Sequence, residues 1–275
     1  MNQLEARELF ERLLASPDDD VDLLRAALAI AAEEHAGLDV TTWVRKLHDL
    51  TGDGLDPQAD EAERHDYLQR RFFDELAFGG EGCDFDDPEC SFLPSVVERR
   101  SGLPIALSVI YVQMGRRLGL ACSGVAFPGH FLAKVHLERG EVFVDPFRRK
   151  RELTVDDLAR RLATASGGRQ KLDRSMLATA PPKLILARML RNLKNLYAKQ
   201  RDFARAFSAA DRVLLCQPES WEDLRDRGLY CVTLGWPEIA QRDLRRYLEQ
   251  VPQAADSNAI RIKLQGLGSS RVLLN

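Results

Sequence analysis

At 275 residues, 45% hydrophobic and 29% charged, the chain is long enough for one large domain or two modest ones, and it is neither disordered nor an integral membrane protein. Lysine and arginine total 39 against 42 aspartates and glutamates, and the formal charge of −3 excludes a strongly basic nucleic-acid binder. Residues 1–20 carry acids and no apolar run, and the five cysteines include no CxxC pair, so the expectation is a reduced, cytoplasmic protein without secretory signal, disulfide framework or zinc knuckle.

Residues 2–78 read as helices. Leu23, Leu24, Ala27, Leu28 and Ala31 recur at helical spacing behind the acidic turn Asp18-Asp19-Asp20, which suits a helix N-terminus. Val40–Leu50 and Glu61–Phe78 repeat the pattern on either side of the breaker Thr51-Gly52-Asp53-Gly54. After Gly79-Gly80-Glu81-Gly82 comes a short helix over Ser91–Arg100. A longer one, apolar all round, follows over Pro104–Leu118, with proline in its first turn. The uncharged stretch Gly102–Gly115 is too short to span a bilayer.

Three strands are predicted next, over Cys122–Phe127, His130–Leu137 and Glu141–Asp145. In the middle one Phe131, Ala133, Val135 and Leu137 alternate with His130, Leu132, Lys134 and His136. A helix on a small antiparallel sheet makes an α+β core. The basic run Arg148-Arg149-Lys150-Arg151 reads as a solvated loop, with an acidic partner as the alternative. Arg99 and Arg116-Arg117 sit at helix ends, where they complement the helix dipole.

Residues 181–252 return to helices with an internal repeat. An offset of 34 pairs Ala206 with Ala240, Pro218 with Pro252, Leu190 with Leu224 and Leu196 with Tyr230. This helix–turn–helix period is that of tetratricopeptide repeats, with Tyr197 and Gly228 fitting in one unit each. Gly167-Gly168 marks the expected linker. The predicted organisation is a helical region over 1–82, the α+β core over 83–166 and a repeat module over 167–275. Trp43, Trp221 and Trp236 form no stripe on which bases could stack, so no nucleic-acid partner is expected.

His130 opens one strand and Asp145 ends the next, and Gly102-Leu103-Pro104 starts the buried helix. A helix N-terminus, a histidine and an acid on neighbouring strands form the frame of a thiol-type triad. There the helix lowers a cysteine pKa, the histidine takes the proton and the acid fixes the imidazole tautomer.

The segments Asp-Asp-Pro-Glu-Cys-Ser-Phe-Leu (86–93), Glu-Arg-Arg-Ser-Gly-Leu-Pro-Ile (98–105), Gly-Arg-Arg-Leu-Gly-Leu (115–120) and Pro-Gly-His-Phe-Leu (128–132) carry a resemblance. The chain resembles the bacterial first SirB protein family, in which a transglutaminase-like core precedes tetratricopeptide repeats. Cys90 departs from the asparagine common there. The resemblance implies a mostly helical α+β protein with a papain- or transglutaminase-like core. In that superfamily the nucleophilic cysteine stands third in Gly-x-Cys at the helix start. Here His130 and Asp145 match, and the nucleophile position falls on Pro104, which has no group able to attack a carbonyl.

Ser108 lies one turn beyond Pro104, about 6 Å along the helix. It is the alternative nucleophile, although a serine bonded to backbone is the simpler reading. His130 and Asp145 also have a plain structural role available, tying two strands together. His130, His136 and Asp145 carry metal-ligating side chains, but no metal or cofactor is expected. The expected function is a pseudoenzyme that binds a protein or peptide through its repeats, regulatory in the resembling family. Arg99, Gly129, Tyr197 and Leu224 are its candidate binding residues. The alternative is an amide hydrolase or acyltransferase using His130, Asp145 and Ser108.

Overall fold

The computed structural model describes residues 1–269, which form twelve helices and one four-stranded antiparallel sheet. The chain divides into two compact units, the first ending at Ile185.

In the first unit α1 (Gln3–Leu14) and α4 (Glu61–Arg70) each begin with a reciprocal capping box, Asn2 with Glu5 and Asp60 with Glu63. Between them α2 (Leu23–Glu34) is capped by Asp22 and α3 (Val40–Asp49) by Asp39. Five alanines make α2 thin enough to be buried along almost its whole length, packed against α1 and α3. A π-type turn over Arg71–Glu75 prolongs α4. It seats Phe72 against Phe78 and Tyr111 at ring-centroid distances of 4.8 and 5.1 Å.

Next come α5 (Leu93–Arg99) and α6 (Pro104–Arg117). Pro104 presets the first-turn φ of α6, where its missing N–H costs no hydrogen bond. Ten of the fourteen residues of α6 are buried, as its all-round apolarity predicts. Gly119, at φ +79°, turns the chain into β1 (Ala121–Val125). The meander continues through β2 (Leu132–Leu137), β3 (Gly140–Asp145) and β4 (Lys150–Leu153), in sheet order 1-2-3-4. Helix α6 packs on β1 and β2. On the opposite face Val125, Leu132, Phe143 and Leu153 form a core with Leu158 and Leu162 of α7 (Val155–Ser166). Covered on both faces, β2 keeps Leu132 to Val135 buried, Lys134 included. The Lys134 ammonium is satisfied there by Glu141 at 3.0 Å and the Leu177 carbonyl at 3.1 Å.

Two expectations change. The basic run 148–151 is exposed as expected but is loop only in its first half: Arg148 and Arg149, the latter at φ +54°, lie in the turn after β3, and Lys150 and Arg151 enter β4 as an edge strand paired through Asp145 with Lys150 and Phe143 with Leu153. Gly167, at φ +61°, is the C-cap of α7 and lies inside the first unit, while the unit boundary falls later, within α8 (Pro182–Lys199).

In the second unit α9 (Phe203–Cys216), α10 (Trp221–Leu234), α11 (Pro237–Gln250) and α12 (Ser257–Ser269) follow one another as antiparallel neighbours. The 34-residue register is kept: Ala206 and Ala240 occupy equivalent buried positions on α9 and α11. Gly228 lets α10 approach α11 so closely that a Cβ there would lie 2.9 Å from Leu244. Buried Lys194 of α8 bonds Asp223 and Asp226 of α10 at 2.7 and 2.6 Å, and Arg227 bonds Asp243 of α11 at 2.6 Å. Burial opposes the charge on Lys194, yet its two carboxylate partners hold its pKa above the ordinary value.

Candidate functional site

The turn Pro128-Gly129 redirects the chain between β1 and β2. Gly129 sits at φ +69°, and the His130 N–H closes the turn on the Phe127 carbonyl at 3.0 Å. His130 thus stands just before β2 rather than inside it, and Asp145 ends β3 beside it. The His130 Nε2 lies 2.8 Å from Asp145 Oδ1. Asp145 is completely buried and receives two further hydrogen bonds. The Arg148 backbone N–H donates to Oδ1 at 3.1 Å, and the Arg161 guanidinium donates to Oδ2 at 2.7 Å.

Burial alone would raise the Asp145 pKa; the bonds from His130, the Arg148 N–H and Arg161 outweigh it and hold the carboxyl below its ordinary range. An ionised Asp145 only accepts, so His130 carries its proton on Nε2 when neutral, and Nδ1 is the nitrogen with a lone pair. The geometry therefore supplies an oriented imidazole backed by an acid.

A cleft of about 660 Å³ opens beside this pair, lined by His130, Gly129, Leu132, Arg148, Lys150, Glu152, Leu153, Asp157, Arg160 and Arg161 among others. Its lining includes no cysteine and no serine. Ser108 is elsewhere. Its Oγ donates to the Phe131 carbonyl at 3.4 Å, and it lines a separate cavity of about 360 Å³ with Val109, Val112, Phe131 and Ile185. Phe131 and His130 are consecutive residues just before β2, and they line different cavities. Ser108 follows the first and the cleft the second.

The thiols lack the surroundings of a nucleophile. Burial pushes Cys122 up to about 12 and Cys231 up to about 11, and burial together with the neighbouring Cys90 pushes Cys83 up to about 12. Cys90 and Cys216 are buried. His136 turns to the Ser123 hydroxyl at 3.3 Å and Glu141 at 3.5 Å, away from Asp145. Among the described residues no three histidine, cysteine or acidic side chains cluster as metal ligands would.

Of the expected binding residues, Gly129 lines the cleft with His130. Arg99 ends α5 half exposed, paired with Asp87 at 2.5 Å. Tyr197 and Leu224 are buried within their helices' packing, so a partner would meet their neighbours first. Arg161 is the member of the site that sequence reasoning missed. A signal existed: Leu158 and Leu162 mark the buried stripe of α7, and Arg161 lies on its flank.

Comparison with known proteins fits this architecture. A family model described as transglutaminase-like superfamily matches residues 34–191, and a tetratricopeptide repeat model matches residues 193–265. The chain thus belongs to the transglutaminase-like superfamily, in the group of UPF0162 and SirB1 proteins. A UPF0162 protein of Xylella fastidiosa (strain 9a5c) is 35% identical over 271 residues, 96% of each chain. One of Pseudomonas aeruginosa is 34% identical over 82% of this chain and 83% of the relative. Protein SirB1 of Salmonella typhimurium is 24% identical over 90% of this chain and 93% of its own. No solved structure matches.

Proposed function

We propose that this protein is a non-catalytic transglutaminase-like protein that works by binding another protein or peptide. One observation carries the reading: Pro104 stands at the start of α6 where the superfamily pattern has its cysteine, and the cleft beside His130 offers neither thiol nor serine. The hydroxyl that the lining does hold, on Thr164, donates to the Arg160 carbonyl at 3.0 Å, and an oriented imidazole needs a thiol or hydroxyl turned toward it to form an acyl-enzyme. A tetratricopeptide module adds an element of the kind that presents helix faces to peptides. Among the described residues no helix is long and apolar enough to cross a membrane.

The test is turnover. Purified protein is incubated with a glutamine-containing peptide, with and without a primary amine, and the peptide is weighed by mass spectrometry. No deamidation, cleavage or amine incorporation is expected, and none with a fluorophosphonate or iodoacetamide adduct on the protein. Turnover by the natural chain that disappears in His130→Ala would refute the proposal. Pro104→Cys is expected to place a thiol in the first turn of α6 that titrates below the ordinary cysteine value of about 8.5. An ordinary value in an alkylation–pH profile would show the alignment of Pro104 with the nucleophile to be wrong.

A further inference from the structure

We propose that the cleft beside His130 binds an acidic peptide segment, with Arg148 and Lys150 as the groups that meet its carboxylates. This rests on the protein-binding reading above and names the chemistry of the partner. Residues 148–151 alternate in where their side chains go. Arg149 and Arg151 point away from the cleft and are consumed by the fold. Arg149 donates to the carbonyls of Phe73 and Phe78 that end the first helical layer, and Arg151 pairs with Asp74 at 2.5 Å over the Phe73 ring. Arg148 and Lys150 point into the cleft, and among the described residues neither side chain has an ion-pair or hydrogen-bond partner.

The other charges of the lining are matched. Arg161 is held by Asp145, Arg160 by Asp157 at 2.6 Å, and Glu152 by Arg139 at 2.7 Å. Two exposed cations are left on a chain whose overall charge is −3, so the surplus is local to this cleft. Two aromatic rings continue outward from His130. Phe85 is 59% exposed and meets Phe147 edge-on at 5.8 Å, and Phe147 meets His130 at 6.1 Å. A carboxylate beside an apolar side chain satisfies both features. A polyphosphate chain fits less well, because Glu152 and Asp157 stand in the same lining and would oppose a continuous line of negative charge.

The experiment measures fluorescence anisotropy of a short labelled peptide of alternating glutamate and leucine, its glutamine–leucine twin, and a labelled oligothymidine, each titrated with the full chain. The glutamate peptide is expected to bind at least about tenfold more tightly than the glutamine twin. The double variant Arg148→Glu/Lys150→Glu should lose about tenfold, since each exposed pair contributes a few-fold and reversal doubles the effect. Arg45→Glu, an exposed cation on α3, should leave binding unchanged and so separates the cleft from bulk charge. Circular dichroism checks that the variants fold. The inference is overturned by equal binding of the two peptides, by no binding, by a double variant that binds as the natural chain does, or by tighter binding of oligothymidine that the double variant loses. Mass spectrometry of the recovered peptides keeps the two readings apart. Absent binding with intact peptides defeats only the acidic-partner assignment, whereas deamidated or cleaved peptide defeats the non-catalytic reading itself.

Discussion

Asp145 is the residue on which the candidate site depends, since three elements send it donors: the turn before β2, the turn after β3, and α7. Replacing it with alanine removes the acceptor from His130, from Arg161 and from one backbone N–H together. Because Arg161 and His130 keep some access to water, the loss is expected at the low end for a broken buried pair, about 3 kcal/mol. Urea unfolding of Asp145→Ala measures it, and a loss under about 1 kcal/mol would mean the contacts are not native. The thiols give a second check at this scale. With Cys83 pushed up to about 12 and Cys122 to about 12, iodoacetamide at neutral pH should leave both unmodified in the folded protein and alkylate them after unfolding. Rapid labelling of the native chain would contradict the environments described. His130 and Asp145 were legible in the sequence because strand ends bring residues of adjacent strands together. Arg161 arrives from a later helix, and no strand spacing encodes that meeting.

Among the elements, the sheet and the repeats behave differently as objects of prediction. β2 follows from alternation and α6 from all-round apolarity. β4 does not: three of its four residues are exposed and charged, a composition that reads as loop until a neighbouring strand supplies hydrogen bonds. That pairing divides the run 148–151 into two residues serving the fold and two facing the cleft. In the repeats, small residues decide how close helices lie. Gly228→Ala puts a Cβ 2.9 Å from Leu244, so overpacking of α10 on α11 is expected to cost about 1–3 kcal/mol despite alanine's better helix propensity. Thermal or urea unfolding that shows stabilisation would mean the two helices are not in this register.

The whole molecule carries a pH signature whose sign follows from its buried groups. Burial holds His65 below its ordinary value of 6.5, outweighing Glu152, Asp66 and Glu61, which favour its protonation, while Arg139 opposes it. The unfolded chain therefore takes up this proton first, and stability falls as pH drops from about 6.5 to the lowered native value. Asp145 in the first unit and Asp223 in the second are held below the ordinary carboxyl value of 3.8 by partners that outweigh burial. Their stabilisation is full above that value and is lost as pH falls through the lowered ones. Urea midpoints against pH should decline in two stages, with His65→Gln removing the upper one. A flat profile between pH 7 and pH 5 would contradict the neutral, buried His65.

By itself the sequence determined that this is a helical chain with a small antiparallel sheet and a 34-residue repeat, since periodicity and turn residues are local properties. It also determined that the third residue of Gly102-Leu103-Pro104, at the start of the buried helix, is proline, because the identity of a residue needs no coordinates. Only the tertiary structure decided which charges are spent and which are left. Arg149 and Arg151 look the same as Arg148 and Lys150 in a basic run. Their partners, Phe73, Asp74 and Phe78, lie more than seventy residues away. Separation of Ser108 from His130 was decided in the same way: Ser108 bonds the Phe131 carbonyl and lines one cavity, while His130, the preceding residue, lines another.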